Sequence, residues 1–510
     1  MLMSDIIALL DGWTVAIGFT VLVLMLLVQA WLREPANLPP VPGRPHLLLG
    51  HLPYLGAKRR EQMAQWRKTT GDVFRLYMGR KPLVVLCGYS VLKEALIKHG
   101  DLFVDRPPGG YATTVVQDGT KGVLGASGAA WREQRAVAMS ILRKFGMGKN
   151  SLADKIQEEI TAYLDVLSGL CGQPTDVKRV TSATLSNVIC SIIVGKRFEY
   201  DDPYFLQFMD TFSEQVRLVS STSMINVFPW LRYWPGDMFG AKRFIDCHHD
   251  LDNIFSDPFI AQKTKEYEAG GDALDNFISA YVHEWRRKEQ GGETTTMDGG
   301  HLRRLLGNLF IAGSETTATT MLWFMLYMLH YPHIQEKVFA ELEEVVGHNR
   351  RPTMQDKSRL PYLNAVIMET QRRASIAPFS LSRICTADVT LQGYLIPRGT
   401  RVVSNLDSVL LDEVTWGDPL NFRPERFLDN HGGLIHPDEF VPFSMGRRVC
   451  LGESLAKMEL FLFLAALVQR FRLLPSVPGQ LPPQKALFGV TCPPEPFTLR
   501  LKERSDSAAD

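Results

Sequence analysis

The N-terminal segment has a hydrophobic pattern that does not belong to a soluble fold. Residues 12–32 contain no charged side chain and have a tryptophan near each end. About 20 such residues are enough for a helix to cross the hydrocarbon layer, and tryptophan favours the membrane interface. Residues 1–33 are therefore predicted to be a membrane anchor. Asp5 and Asp11 precede the apolar run and Arg33 follows it, which places the rest of the chain in the cytosol.

A cleaved signal peptide is the alternative interpretation of this segment. It fits less well, because the residues before the apolar run are acidic, the run is long and no small-residue cleavage site follows. Four prolines between residues 38 and 45 then predict a stiff, extended connector, assigned to residues 34–50.

The remaining pattern predicts one mainly α-helical domain with small β-sheets over residues 51–502. Short β-type runs at 73–77 and 83–87 precede a long helical region, 90–346. An aromatic, proline-containing break interrupts this region at 226–236.

Short strands and loops are expected after residue 391, followed by a last apolar helix at Glu453–Arg470. The polar residues 503–510 are predicted to be a disordered tail. No internal repeat is present in the sequence.

Composition narrows the functional classes. The chain has 510 residues and a formal net charge of +1, so bulk electrostatics give no reason to expect a nucleic-acid partner. The seven cysteines are widely spread without a CxxC pair. This pattern indicates reduced cytosolic thiols rather than a disulfide framework.

The segment 443–452, FSMGRRVCLG, contains the strongest chemical signal. Cys450 lies on a glycine-bearing loop just before a helix, where the helix dipole and unpaired N–H groups favour a thiolate. Gly446 permits a tight turn, and Gly452 allows a flat ligand or backbone near the sulfur. Zinc is a weaker alternative, because no second Cys or His lies at ligand spacing.

This segment matches FxxGxRxCxG at five positions and resembles the haem-binding signature of the cytochrome P450 family. The resemblance implies that Cys450 is the axial thiolate ligand of a haem b iron, in a single large domain of that family. It also implies that Arg448 binds a haem propionate.

Two further motifs resemble the ExxR and PERF elements of the family. In ETQR, Glu369 and Arg372 lie at spacing i, i+3 and therefore share a helix face. Taken alone, such a pair is usually an exposed ion pair worth under about 1 kcal/mol. Together with FRPERF, the resemblance implies a buried triad of Glu369, Arg372 and Arg426 that holds the Cys450 segment.

A polar run, AGSETT, interrupts the apolar helix predicted at 305–329. Thr316 lies four residues after Ala312, so its hydroxyl can compete for that carbonyl, while Gly313 weakens the turn between them. A local opening that holds water is expected there. Taken alone, a core threonine satisfied by the preceding turn is the favoured interpretation. The resemblance implies that Glu315 and Thr316 are the acid–alcohol pair that delivers protons to the oxygen site.

The sequence AAWREQR has Trp131 and Arg135 on one helical face. By itself this WxxxR pattern is typical of an ordinary amphipathic helix. It is similar to the family motif that binds a haem propionate, and Arg383 and Arg106 are further propionate candidates by resemblance.

Taken together, the landmarks look most like the microsomal class and the animal family-two clan. The resemblance implies a monooxygenase on the endoplasmic reticulum membrane, with a cytosolic catalytic domain and a lipophilic substrate such as a steroid, fatty acid or xenobiotic. Electrons would come from NADPH through NADPH–cytochrome P450 reductase, with cytochrome b5 as a second candidate partner. The pocket is expected to include parts of residues 104–123, 205–239, 310, 377–381 and 487–490.

Two alternative functions remain open on the sequence. One is a reductase-independent isomerase or dehydratase of lipid hydroperoxides, which the Glu315 and Thr316 pair disfavours. The other is a non-enzymatic, membrane-tethered haem protein. Ala374 and Ser375 replace the bulkier residues that commonly follow ExxR.

Two clusters of side chains have weaker functional interpretations. Cys247, His248 and His249 resemble a metal-binding tract, but consecutive helical residues point about 100° apart and cannot chelate one ion well. Asp246 and Asp250 flank them, so a solvated face is the favoured interpretation. A set of basic side chains is a candidate docking face for an acidic redox partner, with a solvated face as the equal alternative: Arg132, Arg143, Lys144, Lys149 and Arg447.

Overall fold

The computed structural model describes residues 12–31, 37–56, 58–108, 120–147, 150–221, 223–270, 274–489 and 491–504. Helices make up most of these residues. In chain order they are α1 Gly12–Trp31, α2 Arg59–Thr70, α3 Tyr89–Lys93, α4 Gly128–Lys144, α5 Asn150–Gly169, α6 Lys178–Ile193, α7 Pro203–Ser221, α8 Ser223–Val227, α9 Ala241–Leu251, α10 Asp257–Glu268, α11 Phe277–Gln290, α12 Gly299–His330, α13 Pro332–Val345, α14 Pro361–Ala374, α15 Asp407–Leu410, α16 Glu413–Trp416 and α17 Glu453–Arg470.

Three small sheets accompany the helices. Their strands are β1 Val73–Met78, β2 Lys81–Leu86, β3 Arg383–Ile384, β4 Val389–Leu391, β5 Tyr394–Ile396, β6 Arg401–Ser404, β7 Phe471–Pro475 and β8 Leu499–Glu503. The largest sheet has the order β1-β2-β6-β3, in which β2 and β6 are parallel and pair Val85 with Val403. The strands β4 and β5 form a hairpin, and β7 pairs with β8.

The long helix α12 runs through the main hydrophobic core. Asp298 accepts a hydrogen bond from the His301 backbone at its N-terminus, so the helix begins six residues before the predicted 305. Every residue from Thr317 to Leu329 is buried. The helix packs against α6, α14 and α17. The predicted mainly helical class with small sheets is confirmed.

A buried ionic network lies between α14 and the chain that follows α16. Arg372 donates to both carboxylate oxygens of Glu369 at 2.7 and 2.8 Å, and both side chains are fully buried. Arg426 Nε lies 3.2 Å from Glu369 Oε1, and the Arg423 backbone N–H donates to the same oxygen. The pair is therefore buried, and is not the exposed ion pair that ETQR taken alone would suggest.

The other donors of Arg372 bind the carbonyls of Leu410 and Pro419. One guanidinium thus joins α14, α15 and the loop after α16. Removing one member of such a buried pair leaves an uncompensated charge, which costs about 3–5 kcal/mol.

The apolar N-terminal segment forms α1 over Gly12–Trp31, and its side chains at 16–25 are mostly exposed. Within the described parts of the chain, no helix has the length and hydropathy needed to cross a membrane. The proline-containing segment lies against the domain, since Pro40 accepts from the Arg75 backbone and Asn37 from the Leu395 backbone. Residues 32–36 of the predicted anchor and connector lie outside the described residues, as do 1–11.

The C-terminal boundary differs from the prediction. Glu503 belongs to β8, and Arg504 donates to the Glu336 carboxylate at 2.8 Å. Residues 503 and 504 are therefore part of the folded domain, because strand pairing and an ion pair hold them. The rest of the predicted tail, 505–510, lies outside the described residues.

The interpretation of the Cys247–His249 cluster as a solvated face is also wrong in part. Cys247 is buried, and His248 hydrogen-bonds to Arg304 of α12, which also pairs with Asp252. His249 is exposed. The sequence pattern could not show this, because the partner Arg304 lies on a helix more than fifty residues away.

Candidate active site

The loop before α17 is held in one conformation by close backbone contacts. Gly446 has a φ of +78°, and a Cβ at this position would lie 2.1 Å from the Leu96 carbonyl oxygen. Cys450 donates its backbone N–H to the Phe443 carbonyl at 3.1 Å. Only glycine satisfies both the positive φ and the close approach at 446.

Cys450 stays accessible in the folded protein. It is the exposed one of the seven cysteines, yet protein atoms surround it densely enough that burial raises its thiol pKa. The Gly452 backbone N–H and the charge of Arg135 act in the opposite direction. A Cβ added to Gly452 would meet nothing within 4 Å, so a flat group has room beside the sulfur.

A cavity lies between α12, the chain after α14 and the start of α17. Thr316, Thr317 and Thr320 line its α12 side. The remaining lining residues are Gln371, Ser375, Ile376, Ala377, Leu410, Pro442, Phe443, Ala456 and Leu460. The cysteine loop and the polar run of α12 therefore border the same cavity.

The Thr316 hydroxyl donates to the Ala312 carbonyl at 2.6 Å, as its spacing predicts. The helix is nevertheless continuous from Gly299 to His330, so the expected local opening is not present as a break. Gly313 also has a packing reason to lack a side chain. A Cβ there would lie 2.4 Å from Ile189 of α6.

Glu315 points toward a different set of groups than its neighbour Thr316. Its Oε1 accepts from Thr319 at 3.5 Å and from Thr491 at 3.3 Å. Burial raises the pKa of Glu315, which favours the protonated acid. Thr491 was not found by sequence reasoning, because its contact with α12 spans 176 positions of the chain.

Five predicted cofactor-binding side chains gather on the other side of the cysteine loop. The Arg448 guanidinium lies 4.1 Å above the Trp131 ring and donates to the carbonyls of Val104, Val123 and Ala126. Arg135 donates to the Val449 carbonyl at 2.8 Å.

Arg106 and Arg383 complete this arginine cluster. Arg106 donates to the carbonyls of Leu124, Leu381 and Ser382, and Arg383 to that of Phe103. Burial and repulsion from Arg383 lower the pKa of Arg106 to about 9.

The described neighbours of the cluster carry too little negative charge to balance its arginines. Burial and the charges of Arg106 and Arg383 lower the pKa of Arg448 to about 8. The indole N–H of Trp131 and the Nε of Arg383 are buried and have no acceptor among the described residues. Such donors fit a buried group with carboxylates at its edge, as a haem has in its propionates.

Comparison with known proteins agrees with this geometry. The family model "Cytochrome P450" matches residues 39–501. The chain is 38% identical to cytochrome P450 2D10 of Rattus norvegicus over 507 residues, covering 96% of this chain and 98% of that protein. It is also 39% identical to cytochrome P450 2K1 of Oncorhynchus mykiss, covering 92% of each. The chain belongs to the cytochrome P450 family.

The predicted family and the predicted class of enzyme, a cytochrome P450 monooxygenase, are thereby confirmed. A third relative, cytochrome P450 2C23 of Rattus norvegicus, is 36% identical over 508 residues and covers 96% of this chain and 99% of that protein. These relatives agree with the resemblance to the animal family-two clan.

This cytochrome P450 also has a buried acid that sequence reasoning missed. Glu459 of α17 is fully buried, and its Oε2 accepts from the Thr317 hydroxyl at 3.0 Å. Its Oε1 has no hydrogen-bond partner among the described residues. Burial raises the pKa of Glu459 to about 8. A carboxyl inside an apolar helical run could have signalled this site.

The pKa of Glu459 predicts how stability depends on pH. Its value in the folded state lies above the ordinary value of 4.5, so the wild-type protein loses stability as pH rises from about 4.5 to about 8. The amide introduced by E459Q does not ionise. We therefore expect the thermal midpoint of E459Q, relative to wild type, to increase between pH 5 and pH 8 and to level off above.

Thermal denaturation of both proteins at pH 5, 7 and 9 is the measurement. E453Q is the matched control, because Glu453 is a partly exposed residue of the same helix, paired with Lys457. If wild type and E459Q keep a constant difference across the three pH values, Glu459 does not titrate as inferred.

Proposed function

We propose that this cytochrome P450 is a haem-thiolate monooxygenase that inserts one oxygen atom from dioxygen into a lipophilic substrate. Electrons come from NADPH through NADPH–cytochrome P450 reductase, and cytochrome b5 is a candidate second donor. The observation that carries the proposal is the exposed Cys450, whose loop lies beside a buried, unbalanced arginine cluster.

Different residues of this chain hold the iron and the propionates of the cofactor. Cys450 is the ligand of the haem b iron, and its loop is fixed by Gly446. The buried donors of Trp131 and Arg383, with Arg106, Arg135 and Arg448, hold the propionates. When bound, a thiolate-ligated haem supplies the activation of dioxygen and the oxidation of the substrate.

The polar residues of α12 manage protons on the opposite side of the cavity. Thr316 presents a hydroxyl that lines the cavity and shares the Ala312 carbonyl. Glu315 is a partly buried acid, and burial raises its pKa, which favours the protonated form. We assign Glu369, Arg372 and Arg426 no chemical role, only that of fixing the segment ahead of the cysteine loop.

Aromatic packing around Phe310 supports a lipophilic substrate. Phe310 of α12 is buried against the rings of Phe208 and Phe212 at 4.7 and 4.9 Å. Of the pocket segments expected from the sequence, residues 109–119, 222 and 490 lie outside the described residues. An apolar, aromatic surround selects for lipophilic molecules over polar ones.

The two alternative functions need no delivery of protons to an oxygen site. A lipid hydroperoxide isomerase works without a reductase, and a haem carrier consumes neither NADPH nor oxygen. The hydroxyl of Thr316 on the cavity wall and the neighbouring, partly buried Glu315 favour the monooxygenase over both.

Reconstitution with NADPH–cytochrome P450 reductase tests the proposal. We expect NADPH and oxygen consumption with an oxygenated product from a panel of lipophilic compounds, and C450H should abolish both. C450H should also lose the red-shifted Soret band of the reduced carbon-monoxide adduct, whereas C492S should keep it. Oxygen uptake that stays at baseline across the whole panel, or a persistent band in C450H, would contradict the proposal.

If Thr316 supplies protons, its loss should uncouple NADPH consumption from product formation. Removing a positioned proton donor typically costs about 100-fold or more, so T316A should form at least tenfold less product per NADPH and release more hydrogen peroxide. T316S keeps the hydroxyl and should stay near wild type. Hydrogen peroxide, product and NADPH are measured together, and equal coupling in T316A and T316S would contradict the assignment.

The N-terminal helix supports a location on the endoplasmic reticulum membrane. Apolar side chains of α1, including Ile17, Phe19 and Met25, are exposed and would contact lipid. We expect the full chain to stay in the microsomal pellet after an alkaline carbonate wash, with the catalytic domain open to protease from the cytosolic side. Release by carbonate would contradict the anchor.

Basic side chains support docking of an acidic redox partner on the cysteine side. Arg132, Arg143 and Lys144 are exposed, and Arg447 is exposed but paired with Asp101. Lys149 lies outside the described residues. Such a face would make the rate of electron delivery fall with ionic strength.

A further inference from the structure

Arg59, the first residue of α2, is a cation that forms no ion pair with the described residues. The Arg59 guanidinium carbon lies 3.6 Å from the centre of the Phe488 ring, and its Nε donates to the Gly56 carbonyl at 3.1 Å. No carboxylate of the described residues lies within ion-pair distance of it. Burial lowers its pKa, and the charge of Cys492 opposes this effect.

The neighbouring charges of α2 differ from Arg59. Arg60 donates to both carboxylate oxygens of Asp407, at 2.6 and 2.8 Å. Lys58 is exposed to solvent, and Glu61 points to another side of the helix because it lies two positions further on. Arg59 is thus a flat, half-buried cation over an aromatic ring, with most of its donors available.

Two chain segments, one around Phe488 and one around Phe379, lead from Arg59 toward the cavity. The Phe488 ring lies 6.4 Å from the Phe379 ring, and Phe379 is two residues after Ala377, which lines the cavity. The exposed side chains of Leu381 and Leu487 belong to the same two segments. Apolar surface therefore extends from the cation toward the cavity.

Thr491, which follows Phe488 along the chain, contacts α12. The Thr491 hydroxyl donates to Glu315 Oε1 at 3.3 Å, and the Cys492 backbone N–H donates to Ile376. Phe488 and Thr491 are three residues apart, which spans at most about 11 Å. Arg59 therefore lies within the length of a long alkyl chain from the acid of α12.

We propose that Arg59 binds the carboxylate of a long-chain fatty acid, whose alkyl chain runs past Phe488 and Phe379 toward Thr316. This inference rests on the proposed monooxygenase function and names the substrate class. A guanidinium offers paired donors that match a carboxylate, and the aromatic ring holds it flat. A neutral steroid would leave this half-buried charge unpaired.

Titration calorimetry of the purified full-length haem protein with lauric acid and its methyl ester tests the assignment. R59Q should bind the acid about tenfold more weakly and the ester as wild type does, because one charge-assisted contact is lost. R59K should fall between them, since lysine keeps the charge without the paired donors. K58Q is the matched control and should bind both ligands as wild type does.

Several outcomes would overturn the inference. They are no binding of lauric acid by wild type, equal loss of acid and ester in R59Q, unchanged acid binding in R59Q, and equal loss of acid in K58Q. The last outcome would mean attraction by general surface charge, as from a lipid headgroup site. Binding is measured without turnover, so a failed reductase assay with intact acid selectivity would count against the proposed function alone.

Discussion

Glu369 accepts hydrogen bonds from Arg372, from Arg426 and from the Arg423 backbone in a place that water does not reach. A buried charge is tolerated only when its partners are close and numerous. This constraint fixes α14 against α15 and the loop after α16. The cysteine loop lies further along the chain, beyond the segment that this network holds.

The arginine cluster near Trp131 lacks the balance of charge that the Glu369 network has. Its guanidiniums bind backbone carbonyls, which satisfy hydrogen bonds without neutralising charge, and burial together with repulsion from Arg106 and Arg383 lowers the pKa of Arg448. A fold gains nothing from such an imbalance by itself. The Glu369 network is thus balanced within the chain, whereas the arginine cluster is not balanced by the described residues.

The helix α12 joins the two halves of the site through successive polar residues. Thr316 faces the cavity, Thr317 binds Glu459 of α17, and Glu315 meets Thr491. Each points in a different direction because consecutive helical residues are about 100° apart. A short polar run in one helix thus reaches the cavity, the helix after the cysteine and the segment that leads to Arg59.

The secondary-structure elements and the family could be predicted from the amino-acid sequence. Periodicity predicted α17 at its observed bounds, and five residues around Cys450 indicated the haem-thiolate signature. Local spacing also predicted the Thr316 bond to Ala312, because both groups lie on one helical turn. Tertiary structure alone decided that Glu369 is buried, that Thr491 contacts Glu315 and that Arg59 lies on Phe488. Burial and long-range contacts depend on which helices pack together, and a one-dimensional pattern does not contain that information.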